Sequence, residues 1–417
     1  MVTVSLFRIL QQIISLVGFV SAFSVQAAQP AGYTAELEAV RALGDLTASP
    51  VMRDVDGAAT TVAAGELKHI YFDALEYSGT PTRVFAYVGI PAGASPTAKV
   101  PGIVLVHGGG GTAFKEWVKK WNEHGFAAIS IAVEGQTDDC DPANPKTWKQ
   151  HAWPGPKRDG IYGDSNEPLS EQWIYHAVAD TVLANSLLRS LPEVDADKVG
   201  VMGVSWGGVI TSTVIGIDSR FAFAIPTYGC GHLFDADNQY GRALGNSTLY
   251  REVWDPMLRM ARVKMPVLWF SWPQDIHFPL DCQAASYRAT TGPYLLTLIP
   301  KMGHSHQAAW NPPDSYAFAQ SIVRDGAQWC RQTGVEVKDS SVQVTFTATK
   351  PLDRALLIST TDSGFTGKRK WTESSAIVEK RDKSWLVTAP LPAGTTAWFV
   401  NARSGELTAS SDYQERK

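Results

Sequence analysis

The run Val199-Gly200-Val201-Met202-Gly203-Val204-Ser205-Trp206-Gly207-Gly208 limits what this chain can fold into more than any other stretch. Residues 199–204 are apolar except for glycines, which predicts a buried strand. The strand breaks at Gly203-Val204-Ser205-Trp206-Gly207, a G-x-S-x-G pattern, and residues 209–215 then read as a helix. A strand–turn–helix in this pattern holds the serine in a strained backbone conformation, with its hydroxyl raised over the end of a sheet. Glycines are required on both sides because a Cβ at either would collide across so tight a turn. A chance G-x-S-x-G at the end of a glycine-rich strand reads the same way, so other residues must decide.

The first companion is Gly102-Ile103-Val104-Leu105-Val106-His107, a continuous apolar run expected of a strand covered on both faces. It ends in His107-Gly108-Gly109-Gly110-Gly111, and Thr112 is placed to cap a helix reaching residue 124. Consecutive glycines let backbone N–H groups point into a cavity. The Lys-Ser/Thr of a phosphate-binding loop is missing. A histidine-glycine run after the third strand, upstream of a serine elbow, is instead where an oxyanion hole is built. A serine hydroxyl also needs a base, and the base needs a carboxylate to fix its tautomer. In this architecture they follow in the order serine, acid, histidine. Asp275 lies past a strand expected at 266–271, and His304 past one at 294–299. Asp281 and His306 are rivals for the two roles. His107 is expected to orient the glycine loop and His277 to line the pocket.

The rest of the chain follows from patterning. Strands at 67–72, 83–90, 126–132 and 221–226 alternate with helices at 169–191 and 314–330, which predicts a mostly parallel sheet flanked by helices, an α/β fold. A helical pattern at 34–43 lies in a lead-in over residues 29–65. Residues 133–168 read as a long loop whose Trp148, His151 and Trp153 border the pocket, and 228–261 as an irregular cap. From residue 334 helix signals vanish and short alternating runs predict a small all-β sandwich of six or seven strands over 334–417. The α/β unit then occupies 66–333. Residues 1–28, with Arg8, an apolar run and Val25-Gln26-Ala27-Ala28, have the form of a cleavable leader, so a periplasmic or secreted protein is expected, with no membrane anchor afterwards. Export permits disulfides among Cys140, Cys230, Cys282 and Cys330, with three pairings open. A net charge of −4 without a basic run argues against nucleic-acid binding.

The glycine run His107–Phe114 and the elbow Gly203–Gly208, with Ile225-Pro226-Thr227-Tyr228-Gly229-Cys230-Gly231 and Pro266-Val267-Leu268-Trp269, resemble secreted bacterial α/β-hydrolases of the acetylxylan-esterase and dienelactone-hydrolase-like group. The tail, with Trp398-Phe399-Val400 and Ser410-Ser411-Asp412, is similar to PhoPQ-activated pathogenicity-related-type hydrolases. The resemblance implies Ser205 as nucleophile, Asp275 as acid and His304 as base, with the N–H groups of Gly109 and Trp206 as oxyanion hole. It implies ester hydrolysis through an acyl-enzyme, on acylated carbohydrate or a small ester, with no cofactor and no metal. His107, Gly110, Trp254 and Trp310 are the expected substrate-binding residues. A prolyl-oligopeptidase-like serine peptidase and a non-catalytic hydrolase-fold binding protein are the alternative readings.

Overall fold

The computed structural model describes residues 32–416, so the expected leader lies outside the described residues. Helix α1 (Thr34–Ala42) and the short strand β1 (Met52–Arg53) precede the antiparallel pair β2 (Leu67–Asp73) and β3 (Arg83–Gly89). There follow β4 (Val100–Val106), α2 (Lys115–Glu123), β5 (Ala127–Ile131), a hairpin of β6 (Gln136–Asp141) and β7 (Asn144–Gln150), and α3 (Trp173–Ser190). The elbow joins β8 (Val194–Val204) to α4 (Trp206–Val214). Beyond it come β9 (Ala224–Thr227), α5 (Gln239–Leu244), β10 (Val267–Ser271), α6 (Leu280–Arg288), β11 (Tyr294–Leu298), α7 (His306–Trp310) and α8 (Asp314–Asp325).

The main sheet runs β1-β2-β3-β5-β4-β8-β9-β10-β11. From β5 to β11 neighbouring strands are parallel, and β1, β2 and β3 are antiparallel additions at one edge. This is the mostly parallel α/β sheet that the patterning predicts, in the arrangement that the resemblance to α/β-hydrolases implies. Every residue of β5, β9 and β10 is buried, as parallel strands covered on both faces must be. β4 lies between β5 and β8, so chain progression reverses there, and the carboxyl ends of β4 and β8 flank the switch point where such sheets bind ligands. The glycine loop leaves one of those ends and the serine elbow the other.

Several local expectations are corrected. Residues 133–168 are no plain loop, because β6 and β7 pair within them. Residues 228–261 hold α5, two 3₁₀ segments and a π-helical turn at Tyr250–Trp254. Thr112 does not cap α2: its hydroxyl donates to Thr137 O, and Phe114 occupies the cap position without a side-chain bond. α8 stops at Gly326, which takes the left-handed conformation at φ 71°, so Cys330 opens a strand instead of closing a helix. All four cysteines are free thiols. No helix among the described residues is long and apolar enough to cross a membrane.

The C-terminal part is an all-β sandwich of β12 (Cys330–Lys338), β13 (Ser341–Ala348), β14 (Arg354–Thr360), β15 (Thr372–Arg381), β16 (Ser384–Pro390), β17 (Ala397–Ser404), β18 (Leu407–Ser410) and β19 (Gln414–Glu415). One sheet runs β12-β13-β16-β15, the other β15-β14-β17-β18, and β15 belongs to both. The second sheet does not stand apart. β18 pairs antiparallel with the edge strand β11 at Leu296 and Ser410. Ser410 Oγ accepts from Leu298 N at 2.8 Å, and Asn401 Nδ2 donates to Leu298 O at 2.8 Å. The hydrolase edge is thereby paired and sealed.

Candidate active site

Ser205 sits at the tip of the elbow with φ 59° and ψ −114°, a conformation L-residues rarely adopt. Its N–H donates to Thr227 O at 2.9 Å, which ties the turn to the next strand. A Cβ on Gly207 would lie 2.1 Å from Val106 O, so the elbow can press against the end of β4 only with glycine there.

His304 meets the serine: its Nε2 lies 3.0 Å from Ser205 Oγ and its Nδ1 2.9 Å from Asp275 Oδ2. Asp275 is buried, and its other oxygen accepts the N–H groups of His277 at 2.8 Å and Phe278 at 3.0 Å. With a carboxylate on Nδ1, that nitrogen carries the proton and Nε2 is left to accept from the serine. The imidazole is stacked on Tyr228, with ring centroids 4.4 Å apart, and Tyr228 Oη donates to Gly303 O at 2.9 Å. His277 stands edge-on to His304 at 5.0 Å. The rival carboxylate goes elsewhere: Asp281 Oδ1 accepts from Thr366 Oγ1 in the sandwich.

His306, the rival base, has a different contact. Its Nε2 accepts the Gly108 N–H at 2.9 Å, and its ring packs on Phe114 at 4.8 Å. Burial, with lesser contributions from His107 and His304, pushes its pKa down to about 3, so it stays neutral with its proton on Nδ1. His107 is buried and its pKa is likewise lowered by burial. Its Nδ1 donates to Gly108 O at 2.7 Å, and its Nε2 accepts from Val133 N at 3.1 Å. Nδ1 holds the loop while Nε2 is taken by Val133 N and Gln136 Nε2 outside it, so the buried His107 orients the glycines and has no ring nitrogen left for substrate.

The glycine loop is thus held from three sides. His107 grips it from below and His306 from the side, and Trp148 Nε1 of the hairpin donates to Gly110 O at 2.9 Å. The N–H groups of Gly109 and Trp206 donate to no protein atom among the described residues. A Cβ on Gly109 would touch Trp206 Cδ1 at 3.0 Å, which places the two segments side by side. Two open N–H groups next to a serine hydroxyl are what a tetrahedral oxyanion requires.

Other expected contacts are not made. Trp254 is wholly buried and donates from Nε1 to Gln172 Oε1 at 2.8 Å, making it a core residue. Trp310 is buried against Phe114 and Trp117 at 5.2 and 5.4 Å and supports His306 from behind. His151 and Trp153 pack on Tyr71 of β2. Indoles fill cores as readily as they line pockets, and sequence spacing does not distinguish the two. Tyr228 and Arg158 also stand at the site without a catalytic signature in the sequence. Tyr228 lies at φ 66° in the Tyr-Gly-Cys-Gly run, whose glycines hint at a strained turn, whereas Arg158 carries no local signal.

Fold and site together define an α/β-hydrolase with a serine–histidine–aspartate arrangement at the carboxyl edge of its sheet. The sequence matches the acetyl xylan esterase (AXE1) family over residues 35–255, and the chain belongs to that family of ester-hydrolysing enzymes. The match takes in the glycine loop and the elbow but ends before Asp275 and His304. The acetyl xylan esterase from Paenibacillus sp. R4 is similar in structure, with 22% identity, a TM-score of 0.50 and 67% of this chain against 90% of that one. Acetyl xylan esterase 1 from Thermoanaerobacterium sp. JW/SL YS485 gives 18% identity and a TM-score of 0.49, covering 65% and 89%. No curated protein sequence matches the chain. The family match does not reach the sandwich, so the resemblance of the tail to PhoPQ-activated pathogenicity-related-type hydrolases rests on the sequence alone.

Proposed function

We propose that the protein is an exported serine esterase that removes short acyl groups, acetyl first, from carbohydrate. The observation that carries this reading is the unbroken relay from Asp275 through His304 to a serine on a strained elbow, with bonds of 2.9 and 3.0 Å. His304 Nε2 takes the hydroxyl proton as Ser205 Oγ attacks the ester carbonyl. Asp275 stabilises the imidazolium formed, and the N–H groups of Trp206 and Gly109 receive the developing oxyanion. His304 then protonates the departing sugar hydroxyl, and a water activated by the same nitrogen hydrolyses the acyl-enzyme. Family membership supports acetylated xylan as the first substrate to try and favours esters over peptides.

Ser205→Ala tests the mechanism. Hydrolysis of 4-nitrophenyl acetate and acetylated xylan should fall to the residue left by binding and the oxyanion hole, on the order of 10³–10⁴-fold over water. Labelling by a fluorophosphonate should vanish with it; a mutant of near-normal activity would sink the mechanism. An acyl-chain series belongs to the same experiment, with kcat/KM expected to fall from acetyl to octanoyl. Export has its own check: the mature protein should begin just after Ala27 or Ala28, and an unprocessed chain in the cytosol would refute it.

A further inference from the structure

Arg158 reaches the oxyanion hole from the loop that follows β7. Its Nε donates to Glu134 Oε1 at 3.2 Å and its Nη1 to Gly160 O at 2.7 Å. Its guanidinium lies over Trp206, 5.1 Å from the ring centroid. A Cβ added to Gly109 would stand 3.0 Å from Arg158 Nη2 and 3.0 Å from Trp206 Cδ1. Nε is therefore held by the Glu134 carboxylate and Nη1 by a carbonyl, and the remaining nitrogen, Nη2, abuts the two residues whose N–H groups face the serine. Among the described residues Nη2 donates to no protein atom, and a fifth of the side chain remains exposed.

A purely structural arginine needs no free nitrogen beside a reaction centre. A guanidinium stays charged, and its N–H groups make charge-assisted bonds to carboxylates even when only one nitrogen is free. The indole face beneath it removes part of its hydration and adds a cation–π attraction, so Nη2 is placed to donate to an anion. We infer that Arg158 recognises a carboxylate on the substrate within reach of the oxyanion hole, so that the preferred esters are anionic. The carboxylate is carried either by the sugar, as in an acetylated uronic acid, or by the acyl group, as in a hemiester of a dicarboxylic acid. The inference rests on the esterase reading above.

Two substrate pairs distinguish the sources. Acetylated glucuronic acid is compared with acetylated glucose, and 4-nitrophenyl hemisuccinate with 4-nitrophenyl butyrate. In one pair or the other the anionic ester should have the higher kcat/KM, by about tenfold or more at low salt. That advantage should shrink as ionic strength rises, because a part-exposed charge contact is screened. Arg158→Gln should cut the anionic-to-neutral ratio by about tenfold, chiefly through KM, and Arg158→Lys should restore part of it. If no ester at all is hydrolysed, the esterase reading fails. If neutral esters are hydrolysed but neither anionic ester is favoured, only the anion inference fails. An equal loss on anionic and neutral esters in Arg158→Gln also overturns it and places Arg158 on the oxyanion itself. The salt series on the wild-type protein decides even if the variants do not fold.

Discussion

At the residue scale, two histidines two positions apart have opposite duties. His304 faces the serine with the nitrogen that must gain and lose a proton. His306 faces a backbone N–H with a nitrogen that must never gain one, since a protonated Nε2 can no longer accept from Gly108. His304→Ala is therefore expected to be as damaging as Ser205→Ala, because triad members act as a unit. His306→Ala should be milder: leaving the Gly108 N–H without its acceptor costs about 1–3 kcal/mol, which at the transition state is roughly 5- to 150-fold in kcat. His306→Gln, whose amide oxygen can accept the same bond, should recover much of it. Steady-state kinetics on 4-nitrophenyl acetate separates these outcomes, and a reversed order would make His306 the base. The half-buried His306 ring also links stability to pH. Its pKa of about 3 lies below the value of about 6.5 in an unfolded chain. Between those values the unfolded chain binds the extra proton, so His306 stabilises the fold above pH 6.5 and loses this contribution as pH falls toward 3, by about 1.4 kcal/mol per unit. Asp314, whose carboxyl burial pushes up to about 7, works in the opposite direction over the same range. The difference in Tm between wild type and His306→Gln, followed from pH 7 to pH 4, isolates the histidine and should shift steadily in favour of the variant.

At the element scale, the site depends on two turns pressed against each other. The elbow rises from β8 and the glycine loop from β4, and adjacency of those strands in the sheet sets their distance. A Cβ at Gly207 has no space to move into, since its nearest atoms are backbone oxygens of Val106 and His107 at 2.1 and 2.6 Å. Gly207→Ala should thus destabilise the protein by roughly 3 kcal/mol or more, in the range of severe core clashes, read as a lowered urea midpoint. Wild-type stability in that variant would mean the elbow is looser than drawn. The hairpin of β6 and β7 acts on the same loop through Trp148. Trp148→Phe keeps the ring and loses the bond to Gly110 O, and should lower kcat about fivefold with little change in Tm, as the loss of one bond of about 1 kcal/mol implies.

At the scale of the whole molecule, the sandwich is part of what holds the acid in place. A Cβ at Gly367 would lie 2.6 Å from Asp275 O and 2.9 Å from Ile276 Cα, so a turn of the sandwich rests directly on the backbone of the triad carboxylate. Thr366 Oγ1 accepts from Leu280 N at 3.1 Å and donates to Asp281 Oδ1 at 3.0 Å, tying the same turn to the start of α6. Gly367→Val should displace the Asp275 loop and lower kcat at least tenfold while the sandwich itself stays folded. A chain ending at residue 333 should fare worse. It exposes the β11 edge that β18 covers, and loss of soluble, active protein on expression is the expected result. A soluble and fully active truncation would show that the sandwich is dispensable to the site.

What the sequence determined by itself was local and periodic. A continuous apolar run between turn residues fits a strand covered on both faces, and the glycines flanking Ser205, taken with the glycine run after His107, fit a turn that tolerates no Cβ. The order of serine, acid and histidine at successive strand ends then follows from a parallel sheet. Tertiary structure alone decided the matters that depend on which surfaces meet. His304 is the favoured base on paper and His306 its rival, but only the direction in which α7 starts turns one toward Ser205 and the other toward Gly108. Trp254 and Trp310 have the composition of pocket walls, but burial against Gln172 and Trp117 makes them core. Arg158 and Gly367 lie far along the chain from the residues they touch. No local pattern records such contacts, because they arise from long-range packing of a loop and a second sheet onto the edge where the chemistry sits.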